Sequence, residues 1–294
     1  MSLRVSVVVP TFRRPKLLER CLHALKEQTL TLDEYEVLVA DDAASEETCL
    51  QVQQLAASLN RTIHYLPVSG SHGPAAARNV GWHAARAPLV AFTDDDTIPG
   101  PAWLRAGVEV LERQPALAAV TGQIVVPLPQ SPTDYQRNEA GLEQAEFVTA
   151  NCFCRLQVLN ELAGFDERFT AAWREDSDLH FRLLEGGHHV MKVPEALVVH
   201  PVRPAPWGVS LRMQHKSLFD ALLYKKHQAL YRQHIRRSPP LDYYGMVGSF
   251  LAALAAACAG AALAFFVVLT VWVVLLARFL SRRLRGNSRA PAHV

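Results

Sequence analysis

Only two acidic residues, Asp220 and Asp242, occur between positions 203 and 294, where 13 Lys and Arg are found. Residues 1–202 show the opposite balance, 26 Asp and Glu against 17 Lys and Arg. The near-neutral formal charge of +2 therefore conceals an acidic body and a basic tail. Cysteine is scarce and odd in number. Cys21, Cys49, Cys152, Cys154 and Cys258 show no metal-ligand spacing, which argues against a zinc module and a disulfide framework. Cys152 and Cys154, two residues apart, fall on one face of a strand and read as core or pocket lining. The first apolar stretch is not followed by Gly-x-Gly-x-x-Gly or by a Gly-Lys-Ser/Thr loop, so dinucleotide and P-loop readings lose their main support. No zinc-finger, RNA-recognition or helix-turn-helix pattern accompanies the basic residues, and no nucleic-acid partner is expected. Val5-Ser6-Val7-Val8-Val9 is too short for a signal-peptide core and ends at Pro10 without a small-residue cleavage site. It reads as a buried strand.

Half of the 294 residues are hydrophobic, enough to bury one large domain. Strands are expected at 5–9, 36–40 and 63–66, and helices at 15–28, 46–59 and 74–85, before an apolar stretch at 88–92. This alternation predicts an α/β fold with a parallel, doubly wound, Rossmann-like sheet. Further on, helices are expected at 103–113 and 156–163, strands at 118–126, 147–156 and 196–199, and a helix opening near Glu175. Open sheets of this kind place ligands beyond the carboxyl ends of their strands.

The run Asp94-Asp95-Asp96 sits at such an end, directly after Phe92-Thr93. Three adjacent carboxylates repel one another and need a counter-charge. Clustered hard oxygens suit Mg²⁺ or Mn²⁺ holding a diphosphate, whereas the plain alternative is a solvated acidic turn capping the next helix. A second acidic group, Trp173-Arg174-Glu175-Asp176-Ser177-Asp178, opens a helix. There, acids can be either catalytic or ordinary complements of the helix dipole.

Together these pieces resemble the family 2 glycosyltransferases, over about residues 4–201. The resemblance rests on 5–12, Ala40-Asp41-Asp42, Gly73-Pro74-Ala75-Ala76-Ala77-Arg78-Asn79-Val80-Gly81, the Asp94–Asp96 run with Pro101 and Trp103-Leu104, Gly164-Phe165-Asp166-Glu167, and Glu175-Asp176-Ser177-Asp178-Leu179. It implies a GT-A fold and inverting transfer of a sugar from a nucleotide-diphosphate donor, with UDP or dTDP as the usual nucleotide. Residue by residue, it implies donor binding by Pro10, Thr11, Arg13, Asp42, Gly73, Arg78, Asp94 and Asp95. Asp42 would meet the nucleobase, and Ala43 replaces the glycine that many relatives carry after the acidic pair. Mn²⁺ or Mg²⁺ would be held by Asp94, Asp96 and His200. Asp176 would be the base, with Glu175 as fallback and Asp178 structural, and Trp173 would stack on the acceptor sugar. Processive relatives carry Gln-x-x-Arg-Trp downstream; residues 201–240 contain none, which favours transfer of one or a few sugars.

From Trp207 to residue 235, apolar residues alternate with Arg212, Lys216, Lys225, Lys226 and Arg232, as in a basic amphipathic helix on a membrane surface. Packing on the catalytic domain is the alternative. Between Gly245 and Leu280 the single charged residue is Arg278. The apolar stretch from Leu241 would be about 60 Å long as a helix, roughly twice a hydrocarbon core. A two-span hairpin turning near Ala259-Gly260 is expected, with one tilted span as the alternative. The expected division is a catalytic domain at 1–202, an interfacial region at 203–240, membrane spans at 241–281 and a basic cytoplasmic tail at 282–294. Partners would be a nucleotide-diphosphate sugar, a glycan or lipid-linked acceptor, and the cytoplasmic membrane. Two readings compete: a nucleotidyltransferase, whose triphosphate loop Pro10-Thr11-Phe12 does not supply, and an inactive membrane-bound nucleotide-sugar-binding scaffold.

Overall fold

A computed structural model of the chain describes residues 3–60, 62–206 and 208–285. The Val-rich opening forms β1 (Val5–Thr11), with its valines fully buried as expected of a strand covered on both faces. Helix α1 (Pro15–Lys26) begins with Pro at its first turn and buries Leu18, Cys21, Leu22 and Leu25, one stripe at helical spacing. After β2 (Tyr35–Asp41), Ser45 caps α2 (Glu46–Leu59) by accepting from the Thr48 amide at 3.2 Å. Then follow β3 (Ile63–Pro67), α3 (Pro74–His83) and β4 (Leu89–Phe92). These four strands are parallel, and Gly81 lets α3 lie against β1: a Cβ there would stand 2.3 Å from Val8.

The second half departs from the parallel expectation. It contains β5 (Ile98–Pro99), α4 (Trp103–Arg113), β6 (Leu117–Val125), α5 (Asp134–Glu139), β7 (Cys152–Arg155), α6 (Leu156–Glu161), α7 (Glu175–Glu185) and β8 (His189–Val199). The sheet order is β3-β2-β1-β4-β7-β6-β8-β5. β7 lies antiparallel to both β4 and β6, so the sheet is mixed. Phe153 on β7 faces Trp103 and fills the space left by Gly107, while Cys152 and Cys154 face the other core layer. The strand expected at 147–156 is confined to β7, because 149–151 coils into a tight helical turn. β8 starts seven residues before the expected 196. The helix expected at 156–163 stops at Glu161, and Ala163 and Gly164 turn the chain with φ of 56° and 63°.

The tail also departs from expectation. In place of one surface helix, the chain forms α8 (Val209–Arg212), a tight turn, α9 (Ser217–Lys226), α10 (Gln228–Leu230) and a wide turn at Tyr231–Ile235. Trp207, the expected start, lies outside the described residues. Phe219 and Leu223 of α9 are buried against Phe169 and Phe181 of the α/β body. Burying those two side chains contributes roughly 3–6 kcal/mol, enough to hold α9 on the protein. Leu211 and Leu218 stay exposed.

Two long helices follow, α11 (Leu241–Cys258) and α12 (Ala262–Leu284), turning at Gly260 with φ of 69°. Contacts of Tyr243 with Phe279 and Phe250 with Trp272 make them an antiparallel pair. Both are long and apolar enough to cross a membrane. Of the expected basic tail, 286–294 lies outside the described residues.

Candidate active site at the carboxyl edge of the sheet

At the end of β4, Thr93 and Thr97 share a hydrogen bond of 2.7 Å, and the Thr97 hydroxyl donates to the Asp94 carbonyl at 2.7 Å. This turn sends three neighbouring carboxylates in three directions. Asp95 accepts from the Thr11 hydroxyl at 2.8 Å and from Arg14 at 3.0 Å. Burial pushes its carboxyl up to about 6, with Arg14 opposing. Asp94 accepts from Arg78 at 2.7 Å. Asp96 lies 3.5 Å from His200 Nε2 and 3.0 Å from Arg203 Nε.

Ligand-capable atoms of Asp94, Asp96 and His200 all lie within 4.8 Å of one another, and among the described residues no other such group of three His, Cys, Asp or Glu occurs. Asp95 is not part of it. His200 Nδ1 is buried without a hydrogen-bond partner. Two carboxylates and one imidazole with a free ring nitrogen are a donor set that fits a divalent cation such as Mn²⁺.

Arg78 joins the two acidic groups that are 80 residues apart in sequence. Its other terminal nitrogen donates to Glu175 at 3.0 Å, and both its side chain and that of Glu175 are nearly inaccessible. Burial opposes the guanidinium charge, but Asp94 and Glu175 outweigh it and raise its pKa. Burial pushes Glu175 up to about 7; Arg78 opposes this and Asp176 reinforces it. Asp176 is also raised by burial, though its carboxylate accepts from the Ser177 amide at 2.6 Å. Asp178 points elsewhere, as its position two residues on requires, into Arg182 at 2.9 Å and the tail.

Asn79, next to Arg78, explains why Gly164-Phe165-Asp166-Glu167 accompanies the Ala-Arg-Asn segment. Its amide nitrogen donates to the Phe165 carbonyl at 2.9 Å and to Glu167 at 2.8 Å, and its oxygen accepts from the Phe165 amide and the Trp82 indole, both at 2.8 Å.

On the other side of β1, Asp41 is fully buried and shapes the turn after β2, accepting from the amides of Ala43 and Ser45 and from the Tyr65 hydroxyl. Asp42 remains partly open. Both its carboxylate oxygens lie 3.0 Å from the Gly73 amide, and His72 is 3.1 Å away. Gly73 has φ of 107°, and a Cβ would stand 2.5 Å from the Thr170 carbonyl, so no other residue fits. The strained position in this turn is Ala44, at φ of 47°, and not Ala43.

Arg13 is exposed, its backbone at φ of 53°, and lies over the Phe12 ring; Arg14 reaches the carboxylates. The Trp173 indole nitrogen donates to Asp220 at 3.1 Å and Arg174 lies 5.0 Å over its ring, so the indole is engaged by the protein. Pro10 is placed by β1 pairing opposite Ala40. Sequence reasoning missed Arg14, Arg203 and Lys216. Arg14 was one position from the residue named, and Arg203 is the first basic residue after His200. Lys216, whose ammonium donates to the Ala172 carbonyl at 3.3 Å, has its pKa lowered by burial, with Glu139 of α5 and Glu175 opposing. No motif marks it.

The family model described as "Glycosyl transferase family 2" matches residues 6–168, and one described as "Glycosyl transferase family group 2" matches residues 89–281. Glycosyltransferase AglE of Haloferax volcanii is 25% identical over 223 residues, covering 72% of this chain and 71% of the relative. Chondroitin synthase of Escherichia coli is 26% identical over 271 residues, covering 78% of this chain; the chain spans only 39% of that protein. Among solved structures, the mannosyltransferase PcManGT from Pyrobaculum calidifontis, in complex with GDP-Man and Mn²⁺, aligns with a TM-score of 0.62 at 21% identity. That alignment covers 96% of this chain and 87% of the other. At that identity the likeness speaks for the GT-A type of fold.

Proposed function

This chain belongs to glycosyl transferase family 2 and is a glycosyltransferase, and from that premise we propose that it moves a sugar, with inversion, from a nucleotide-diphosphate donor to a glycan or lipid-linked acceptor at a membrane. The observation that carries this reading is Arg78, which ties Asp94 of the Asp94–Asp96–His200 group to Glu175 of the candidate base pair. The donor-side acids and the base thus belong to one electrostatic unit.

Asp94, Asp96 and His200 hold Mn²⁺ or Mg²⁺ in this reading. When bound, the metal supplies positive charge that offsets charge developing on the departing diphosphate. Arg14 and Arg203, already beside Asp96, add fixed cations on the same side. Asp42, released from Gly73, accepts from the N–H edge of a uracil or thymine base; the GDP-Man complex of the mannosyltransferase makes a GDP-sugar the alternative donor. Asp176 takes the proton of the acceptor hydroxyl as it attacks the anomeric carbon. Its burial-raised pKa makes it a stronger base than an exposed aspartate. Glu175 stays fixed on Arg78.

The α11–α12 hairpin anchors the enzyme. Arg236 and Arg237 precede it, and Arg278, Arg282, Arg283 and Arg285 follow or close it, so both ends belong on the cytoplasmic side. Transfer is non-processive in this reading.

The test is nucleoside diphosphate release by detergent-purified protein offered UDP-, dTDP- and GDP-sugars with Mn²⁺ or Mg²⁺ and a panel of glycan and polyprenyl-linked acceptors. Product anomers are read by NMR. Metal-dependent release from one donor with an inverted product is expected; a retained anomeric configuration contradicts the direct displacement.

A further inference from the structure

Resting on the reading that Glu175–Asp176 supplies the base, we infer that α9, in the segment before the membrane hairpin, is the clamp that positions this base, with Asp220, Lys226 and His227 as positioning residues. The base turn is fastened on both sides. On its N-terminal side, Asp220 Oδ1 accepts from Arg174 Nε at 2.7 Å and Oδ2 accepts from the Trp173 indole at 3.1 Å. On its C-terminal side, the fully buried Asp178 accepts from His227 Nε2 at 3.1 Å and forms an ion pair with Lys226. Both fastenings come from one stretch, 217–227, some 46 residues further along the chain.

The backbone shows why a clamp is needed. Arg174 has φ of 75°, in the left-handed region that non-glycine residues avoid unless their surroundings hold them there. It is the residue that sets the direction in which α7 leaves, and so where Glu175 and Asp176 stand. The Asp220 carboxylate on its guanidinium and the Trp173 ring beneath it are what hold that conformation. At the other side, Asp178 is too deeply buried to stand uncompensated. Arg182 supplies one counter-charge from within α7, Lys226 supplies another from the tail, and His227 adds a hydrogen bond. Lys226 also pairs with Asp166 at 2.5 Å, and His227 Nδ1 contacts Glu185 at 2.9 Å, so the clamp reaches the loop that Asn79 docks. Phe219 and Leu223 seat it on Phe169 and Phe181.

A base acting on an acceptor hydroxyl tolerates little misplacement; an error of about 1 Å can cost on the order of a hundredfold in rate. The contacts of α9 fall on Trp173, Arg174, Asp178 and Asp166 and not on Asp94, Asp96 or His200, which it meets only through Glu175 and Arg78, so its larger effect is on turnover and its smaller one on donor binding.

The experiment compares full-length parent, Asp220→Asn, Asp220→Glu, Lys226→Met and Asp176→Asn in detergent. Nucleoside diphosphate release is measured from the UDP-, dTDP- or GDP-sugar that the parent uses, alongside binding of the matching nucleoside diphosphate with Mn²⁺. For Asp220→Asn, kcat falls about a hundredfold while donor KM and nucleotide Kd stay within about twofold; Asp220→Glu restores part of kcat, and Lys226→Met behaves like Asp220→Asn. Unchanged kcat in Asp220→Asn and Lys226→Met overturns the clamp, as does loss of nucleotide binding in parallel with kcat, which would make the contacts merely structural. Full activity in Asp176→Asn instead overturns the base assignment on which the clamp rests.

Discussion

The two halves of the basic tail meet opposite fates. In 217–226, Phe219 and Leu223 are buried on the catalytic body and the polar groups Asp220 and Lys226 have partners there. In α11 and α12, Ala253 is the one described residue that is buried, while Leu263 is 81% and Phe266 63% exposed. Both halves are apolar, yet only the first has protein surface to cover it. The two apolar helices are long enough to cross a membrane, and the change from packed to uncovered surface falls near residue 240.

Moving that boundary by truncation should produce the largest contrast. Ending the chain after residue 202 removes Phe219, Leu223 and Lys226, the tail cation of Asp178, and the remaining body is expected to lose cooperative unfolding. Ending it after Pro240 is expected to keep the melting midpoint within a few degrees while releasing the protein from membranes. Calorimetry and membrane fractionation of the two products check this.

Next in size is the buried cation that links the two acidic groups. Arg78→Met leaves Asp94 and Glu175 facing each other without charge compensation, at an expected cost of about 3–5 kcal/mol in denaturant unfolding. A surface pair such as Arg113 with Glu109, by contrast, should lose less than about 1 kcal/mol when broken.

A smaller, graded effect comes from pH. Burial raises Asp176 and holds Glu175 up to about 7, and a general base works only when ionised. Activity is therefore present above the folded pKa values of this pair and lost as pH falls through them. kcat/KM should fall about tenfold per pH unit on the acid side, with the acid limb lying above the ordinary aspartate range because burial raises Asp176. An acid limb no higher than that of an exposed aspartate would remove the buried Asp176 from the proton transfer.

The smallest effect concerns Ala44, whose φ of 47° suits glycine. Ala44→Gly should stabilise the turn beside Asp42 by no more than about 1 kcal/mol, the left-handed penalty being offset by glycine's unfolded-state freedom. Thermal unfolding measures it.

These contrasts also show what sequence patterns carried. The alternation over the first hundred residues specified β1 to β4 because apolar periodicity and turn residues are local signals. β8 was longer than expected because His189, Lys192 and Glu195 interrupt its apolar pattern on its exposed positions. The antiparallel insertion of β7 rests on long-range pairing with β4 and β6, which leaves no local mark. At the site, the acids, Arg78 and His200 were legible as residue types in order. Arg13 and Arg14 were not separable, since a single left-handed residue decides which of them faces the carboxylates. The packing of α9 was hidden because Phe169 and Phe181 lie about 40–50 positions away.

The central claim is tested most directly by measuring Mn²⁺-dependent nucleoside diphosphate binding and sugar transfer together in the parent, Asp96→Asn and Asp176→Asn. The expected result is loss of both binding and transfer in Asp96→Asn, with loss of transfer but retained binding in Asp176→Asn. Transfer that survives in Asp96→Asn at the parental rate would contradict the assignment of the Asp94–Asp96–His200 group.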